Sequence, residues 1–202
     1  MTITYKVGSG LYVNITNQCT NACNFCIRQN GDGAYGSDPL WLEREPTKEE
    51  VAADIEKNWS EKEYSELVFC GYGEPTCRLD DMLWVCKEIR KRIPGIKIRL
   101  NTNGQSDLIY GADTAPMFEG MLDSISISLN SADAKKYQEV CHSVYGESAY
   151  EAMLTFARNV SKYVPDVAFS VVRGFLSEQD ITTCQDIADK AGVRLRVREY
   201  IS

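Results

Sequence analysis

The sequence predicts an α/β fold, a partial, open (β/α)6-type barrel. Three observations predict it. Strand-like segments alternate with helix-like ones from residue 11 onward, the order that builds a parallel sheet covered by helices. The strands alternate apolar and polar residues instead of reading apolar throughout, so one face of the sheet is polar. The chain has 202 residues, fewer than the ~250 that a closed eight-stranded barrel uses.

The first strand is Leu11–Thr16, with Leu11, Val13 and Ile15 on one face and Tyr12, Asn14 and Thr16 on the other. Residues 17–30 form a cysteine-bearing loop. Residues 30–46, NGDGAYGSDPLWLEREP, form a second and long loop marked by glycines and prolines, and loops of that length in compact domains are usually functional. Thr47 and Glu50 have capping-box spacing and start a helix. A second strand over Glu66–Gly71 leads to a helix over Asp80–Ile93. In the third strand, Lys97–Thr102, the series Ile96, Ile98, Leu100 opposes Lys97, Arg99, Asn101. In the fourth, Ser124–Asn130, Ile125, Ile127 and Leu129 oppose Ser126, Ser128 and Asn130. Helices follow over Ala132–Val140 and Ser148–Tyr163; in the latter Ala149, Met153, Phe156, Ala157, Val160 and Val164 repeat at helical spacing. Strand Val167–Val172, helix Glu178–Ala191 with Ser177 as its N-cap, and strand Val193–Tyr200 complete the series. Helices on the apolar face leave the polar face to line a lumen. The alternative is that some strands, the last above all, are solvated edges.

Lys and Arg number 22 against 29 Asp and Glu, a net charge of −7. That balance argues against a broad nucleic-acid surface. No apolar run reaches the ~20 residues of a membrane span. The opening MTITYKVGSGLY lacks the apolar core of a signal peptide. A single cytoplasmic domain over residues 1–202 is the expectation, and its eight cysteines read as metal-binding or buried thiols, not a disulfide framework.

The strongest chemical signal is Cys19-Thr-Asn-Ala-Cys23-Asn-Phe-Cys26, directly after the first strand. Three thiolates so close in sequence can converge on one metal centre. Zinc would need a fourth ligand, from His142 or one of Cys70, Cys77, Cys86, Cys141 and Cys184. A [4Fe–4S] cluster held by three cysteines leaves one iron open, as catalysis requires. The second strand ends in Cys70-Gly71-Tyr72-Gly73-Glu74-Pro75-Thr76, where glycines permit close backbone approach and Glu74 adds an acceptor. The third ends in Asn101-Thr102-Asn103-Gly104, whose amides suit a ribose or a carboxylate or simply cap a turn.

CxxxCxxC with an aromatic before its last cysteine, GYGEP, TNG and SLN, in that order, resemble the radical S-adenosylmethionine (radical SAM) enzymes over nearly the whole chain. NITNQCTNACNFC, WLEREPT, VFCGYGEPT and RLNTNGQ are similar to the group of TatD-associated radical SAM proteins. The resemblance implies that Cys19, Cys23 and Cys26 ligate a [4Fe–4S] cluster whose fourth iron is chelated by S-adenosylmethionine. It implies that Phe25 packs near the cluster and that Gly71, Tyr72, Gly73 and Glu74 hold the methionine ammonium. Tyr72 departs from the usual second glycine. Asn101, Asn103, Ser126 and Ser128 would face the ribose and carboxylate, with Arg173 as a further carboxylate partner. The implied chemistry is reductive cleavage to methionine and a 5′-deoxyadenosyl radical that takes hydrogen from a substrate. It also implies an electron donor such as flavodoxin or ferredoxin, and a functional link to a TatD-type hydrolase.

Lys97, Arg99, Arg194, Arg196 and Arg198 share the predicted polar face and would attract a small anionic substrate, or else form salt bridges at the barrel bottom. Arg28, Gln29 and Asn30 follow the cysteines and, with Tyr35, Trp41, Arg44 and Glu45, belong to a loop that could close as a lid while Trp41 and Leu42 anchor it. Cys86 and Cys184 fall in helix patterns as buried hydrophobes. Cys70, Cys77 and Cys141 are structural, or lie near the site. A glycyl-radical activating enzyme acting on a protein partner and a non-enzymatic zinc or Fe–S module are the alternative functions.

Overall fold

The computed structural model describes residues 1–29 and 31–199. Asn30 in the long loop and Tyr200 at the end of the last predicted strand lie outside the described residues. Seven strands follow one another across an open sheet in chain order: β1 (Thr4–Val7), β2 (Gly10–Val13), β3 (Glu66–Phe69), β4 (Ile98–Thr102), β5 (Ser124–Ser128), β6 (Asp166–Val172) and β7 (Arg194–Arg198). β1 is antiparallel to β2, whereas β2–β3, β3–β4, β5–β6 and β6–β7 pair in parallel. The helices are α1 (Lys48–Asn58), α2 (Leu79–Arg92), α3 (Ser106–Tyr110), α4 (Ala134–Cys141), α5 (Ser148–Val160) and α6 (Glu178–Ala191). This is the partial, open α/β barrel architecture that the alternating pattern predicts. β1 and α3 are additions, at four and five residues too short to show a period.

The described residues form two compact units. The first holds Met1–Cys19, Phe25–Asn101 and Met121–Asp123. Its core is Leu11 and Val13 of β2, Leu67 and Phe69 of β3, Ile98 and Leu100 of β4, and the apolar stripes Val51, Ala52, Ile55 of α1 and Met82, Val85, Cys86, Ile89 of α2, all buried. The predicted capping box starts α1: Glu50 N donates to Thr47 Oγ1, and Thr47 N donates to the Glu50 carboxylate. Arg44 adds two hydrogen bonds to the same carboxylate and, with the cap, holds Glu50 at about 2. α2 has no side-chain cap. Instead Asp80 and Asp81 stand in its first turn and Arg90, Lys91 and Arg92 in its last, matching the helix dipole.

The second unit holds Thr20–Asn24, Thr102–Gly120 and Ser124 onward. Ile125 and Ile127 of β5, Phe169 and Val171 of β6, and Met153, Phe156, Ala157 and Val160 of α5 are buried. The α5 stripe is the one the helical spacing predicts. Phe118 meets Phe156 edge-on, with centroids 5.7 Å apart, a favoured aromatic geometry. Ser177 and Asp180 cap α6 reciprocally. Cys86 and Cys184 are both fully buried, as their helix positions imply.

Simple alternation fails in three strands. Val68 of β3 is buried along with Leu67 and Phe69, and β6 is buried continuously from Val167 to Val171. β7 pairs with β6, and of the apolar series Val193, Leu195 and Val197 only the first is interior: Val193 is buried, Leu195 is half-buried and Val197 is 36% exposed. The last strand is thus a partly solvated edge, with Arg194 and Arg196 exposed on it.

Asp123 fastens the foot of the first unit. Its carboxylate accepts from Ile98 N at 2.9 Å, Arg90 Nη2 at 2.7 Å and Lys97 Nζ at 3.0 Å. Desolvation, the largest single influence, pushes this carboxyl up, but the Ile98 N–H, Arg90 and Lys97 together outweigh it and leave it lowered. A lowered carboxyl adds stability that is present above its unfolded value and is lost as pH falls. Asp123→Asn should therefore cost about 1–2 kcal/mol at pH 7. The gap from wild type in denaturant midpoint should narrow below about pH 4. A gap of constant size from pH 7 to pH 3 would contradict the assignment.

Candidate functional site

The site elements of the first unit gather where β2 ends. Backbone at Thr16 and Gln18 runs against the turn 71–74: Glu74 N donates to Gln18 O at 2.7 Å and Cys70 N to Val13 O at 3.1 Å. A Cβ on Gly73 would collide with Thr16 O and stand 2.6 Å from Gln18 O. A Cβ on Gly71 would collide with Asn14 Oδ1. The glycines are thus required by chain packing within the protein. Glu74 is 4% exposed, and its Oε1 accepts from Thr76 N and Thr76 Oγ1 at the head of a 3-10 turn, Pro75–Arg78.

Tyr72, the departure from the family's glycine, is an anchor for the long loop. It is 3% exposed, packs with Tyr5, Ala34 and Leu40, meets Trp41 edge-on and donates from its hydroxyl to Gly31 O at 2.8 Å. The rest of the loop is held by residues that precede the cysteines. Asn14 Nδ2 donates to Leu40 O at 2.7 Å, and Asn17 both donates to Leu42 O and accepts from Leu42 N. Leu42 is buried as the predicted anchor, while Trp41 is 42% exposed and meets the cluster through the Tyr72 ring. Glu45 accepts from Thr16 Oγ1 and Gln18 Nε2. Arg78 donates to Ile15 O and Pro46 O and pairs with Asp81. Cys19, Cys26 and Cys77 are half-buried. Desolvation, followed by the charges of Glu74, Cys19 and Glu45, pushes the Cys77 thiol up to about 12. Phe25 is half-buried. Asn101 Oδ1 accepts from Arg99 Nη1.

In the second unit the segment Thr20–Asn24 lies on the C-terminal end of α4. Ala22 N donates to Cys141 O and Asn24 N to Val140 O, each at 2.9 Å. The Cys23 thiol shares a hydrogen bond with the buried Cys141 thiol; that bond, then desolvation, pushes it well above the ordinary thiol range. Asn103 donates from Nδ2 to Thr20 Oγ1 at 2.8 Å. Gly104 follows with φ of 75° and with Ile127 and Met153 less than 3 Å from where a Cβ would stand, so TNG needs its glycine for both conformation and space. His142 caps α4 in the left-handed region, is exposed, and hydrogen-bonds Asn24 Oδ1 at 2.8 Å. Ser126 and Ser128 share one face of β5. Arg173, beyond the end of β6, pairs with Glu178 and Glu199.

Of the five predicted lumen cations, three are in ion pairs: Lys97 with Asp123, Arg99 with Glu66, Arg194 with Asp166. Arg196 is exposed and makes no ion pair among the described residues. Arg198 Nε is buried without a hydrogen-bond partner among them. Sequence reasoning missed Asn14, Arg78 and Gln105 as organisers. Asn14 and Gln105 stand inside the quoted motifs, but nothing in their spacing marks them as buried.

Among the described residues no three His, Cys, Asp or Glu side chains converge as around a metal ion. The donor chemistry nevertheless fits an iron–sulfur cluster. Cys19, Cys23 and Cys26 are a sulfur-only set, all half-buried and carried on eight consecutive residues.

The sequence profile of the Radical SAM superfamily matches residues 13–186. The chain belongs to that superfamily and is an enzyme of its class. No curated protein sequence matches it. Its fold is similar to that of Streptococcus suis SuiB bound to the precursor peptide SuiA, at 18% identity and a TM-score of 0.68, covering 96% of this chain and 39% of SuiB. It is also similar to TYW1 with a lysine-pyruvate adduct bound (18% identity, TM-score 0.63, 96% of this chain and 66% of that one). A third match is anSMEcpe with bound AdoMet (14% identity, TM-score 0.65, 95% and 51%). The chain therefore spans less than two thirds of each of these proteins.

Gly73→Ala should destabilise the protein by about 1–3 kcal/mol, because its obstacles are backbone oxygens that cannot swing away. Chemical denaturation checks this. An unchanged midpoint would show that the turn is not packed as described.

Proposed function

We propose that the chain binds one [4Fe–4S] cluster through Cys19, Cys23 and Cys26 and one S-adenosylmethionine, and acts on a small, anionic substrate. The observation that carries this is CxxxCxxC directly after β2 in a chain that matches the superfamily profile. The profile runs unbroken through segments of both compact units, which supports a single radical SAM domain. A bound cluster would supply one electron to cleave S-adenosylmethionine into methionine and a 5′-deoxyadenosyl radical that abstracts hydrogen from the substrate.

The chain's own residues bind and orient. The backbone of Gly71, Tyr72 and Gly73 and the acceptor Glu74 address the methionine ammonium. Asn101, Asn103, Ser126 and Ser128 offer donors and acceptors to ribose and carboxylate, Phe25 packs beside the cofactor, and Arg173 assists at the carboxylate. An anionic substrate would be met by Arg196 and Arg198, since the other three cations are neutralised locally. The long loop would act as a lid, hinged on its Asn14 and Asn17 contacts. The motif likeness supports membership of the TatD-associated group, with a TatD-type hydrolase as functional partner and flavodoxin or ferredoxin as electron donor. No helix among the described residues is long and apolar enough to cross a membrane, consistent with the proposed cytoplasmic site of action.

A second reading, a structural metal module, is favoured by two thiols: Cys77, which feels the charge of Cys19, and Cys141, which shares a hydrogen bond with Cys23. Glycyl-radical activation of a protein partner is the alternative use of the same chemistry. An anaerobic assay separates the radical chemistry from the structural module. After reconstitution with iron and sulfide, dithionite and S-adenosylmethionine should yield 5′-deoxyadenosine from the wild type and none from Cys23→Ala. No product from a sample carrying about four irons per chain would overturn the proposal. Tightly bound zinc in place of iron would establish the structural module.

A further inference from the structure

Gln105 follows the TNG turn and is fully buried. A buried side-chain amide must satisfy two donors and an acceptor with two lone pairs, and its partners here belong to the segment bearing Cys23 and to its support. Gln105 Oε1 accepts from Thr20 Oγ1 at 2.8 Å and from Ser143 Oγ at 3.0 Å. Nε2 donates to Asn21 Oδ1 at 2.9 Å and to the Tyr137 hydroxyl at 3.0 Å. Asn21 in turn donates from Nδ2 to the same hydroxyl at 3.1 Å, and its side chain hydrogen-bonds the Cys23 thiol. Gln105 N is fixed by Asn103 Oδ1 at 3.0 Å, and Asn103 Nδ2 returns to Thr20 Oγ1. Thr20 and Asn21, three and two residues before Cys23, are thus gripped by one amide.

Tyr137 is fully buried, one turn before Cys141 on α4. Asn24, on the far side of Cys23, is tied to the same helix end through Val140 O, Glu139 O and His142. Cys23 is therefore clamped from both sides, and Gln105 is the member that reaches both the loop and the helix.

We propose that Gln105 is a positioning residue for Cys23: acting through Asn21 and Thr20, with Tyr137 as its support, it sets where the second thiol of the cluster motif stands. The cluster part of this rests on the radical SAM reading. The positioning part does not, because it concerns a thiol of the metal-free chain.

The test therefore has two arms. In the first, the metal-free protein is alkylated with iodoacetamide at fixed pH, and modification of each cysteine is followed by peptide mass spectrometry. Gln105→Glu keeps the volume and the acceptor for Thr20 and Ser143 while disturbing the donors to Asn21 and Tyr137. Tyr137→Phe removes the shared hydroxyl. Each should change the rate at Cys23 about tenfold relative to Cys19 and Cys26, the factor expected for the loss of one net hydrogen bond, with Cys19 and Cys26 unchanged. A merely structural role would leave the relative rates alone and lower only the unfolding midpoint; that result would overturn the proposal. In the second arm the reconstituted, reduced proteins are compared by electron paramagnetic resonance. A shifted signal in Gln105→Glu at full iron content supports the proposal, and a spectrum identical to wild type overturns its cluster part. A wild type that takes up no iron would sink the radical SAM reading, while the alkylation rates would still decide whether Gln105 positions Cys23.

Discussion

Asn14 carries the arrangement of the first unit. Its side chain is 1% exposed, so neither end of its amide can be left to water. One end donates to Leu40 O in the long loop; the other accepts from Tyr72 N in the glycine turn. Once β2 turns this amide inward, the turn must come close enough to offer its N–H, and the loop must fold back to offer its carbonyl. The close turn then excludes a Cβ at residues 71 and 73. Tyr72, set between two glycines, is driven into the cluster of Tyr5, Ala34 and Leu40.

The second unit uses the same physics with a different residue. Gln105 is an internal amide that joins a loop to a helix, and its neighbours Asn103, Asn21 and Tyr137 are themselves buried, Asn21 bonded to Tyr137 and Asn103 to Thr20. Buried polar networks are costly when incomplete, so a chain that builds one restricts the conformations its loop can take. In both units, the irregular segments around the cysteines are fixed by side-chain amides in place of a regular backbone ladder.

The fold was legible because it rests on periods. The alternation in β2, β4 and β5 and the stripe on α5 put the right side chains inside, and the caps Thr47 and Ser177 announce their helices with a hydroxyl and an acid three residues on. β1, TYKV, is too short for a period to show. β7 misleads because a two-residue repeat gives a strand but not what covers it, and here Val197 faces water. The cysteine motif and the glycine turn were readable by residue type and spacing. What the glycines fit against was not, since Asn14, Thr16 and Gln18 lie more than fifty residues away in the chain. Nor could any local pattern reveal that Arg99 and Arg194 would find Glu66 and Asp166 on neighbouring strands.

The long loop is held chiefly by its main chain. Gly31, Leu40 and Leu42 offer carbonyl oxygens to Tyr72, Asn14 and Asn17, and Pro46 offers one to Arg78. A carbonyl is the same whatever side chain stands beside it. The clasps are thus indifferent to the identity of most loop residues, and the exposed positions Asp38 and Pro39 can drift without loosening the attachment. Such a segment is free to diversify by point substitution while the scaffold that grips it stays the same.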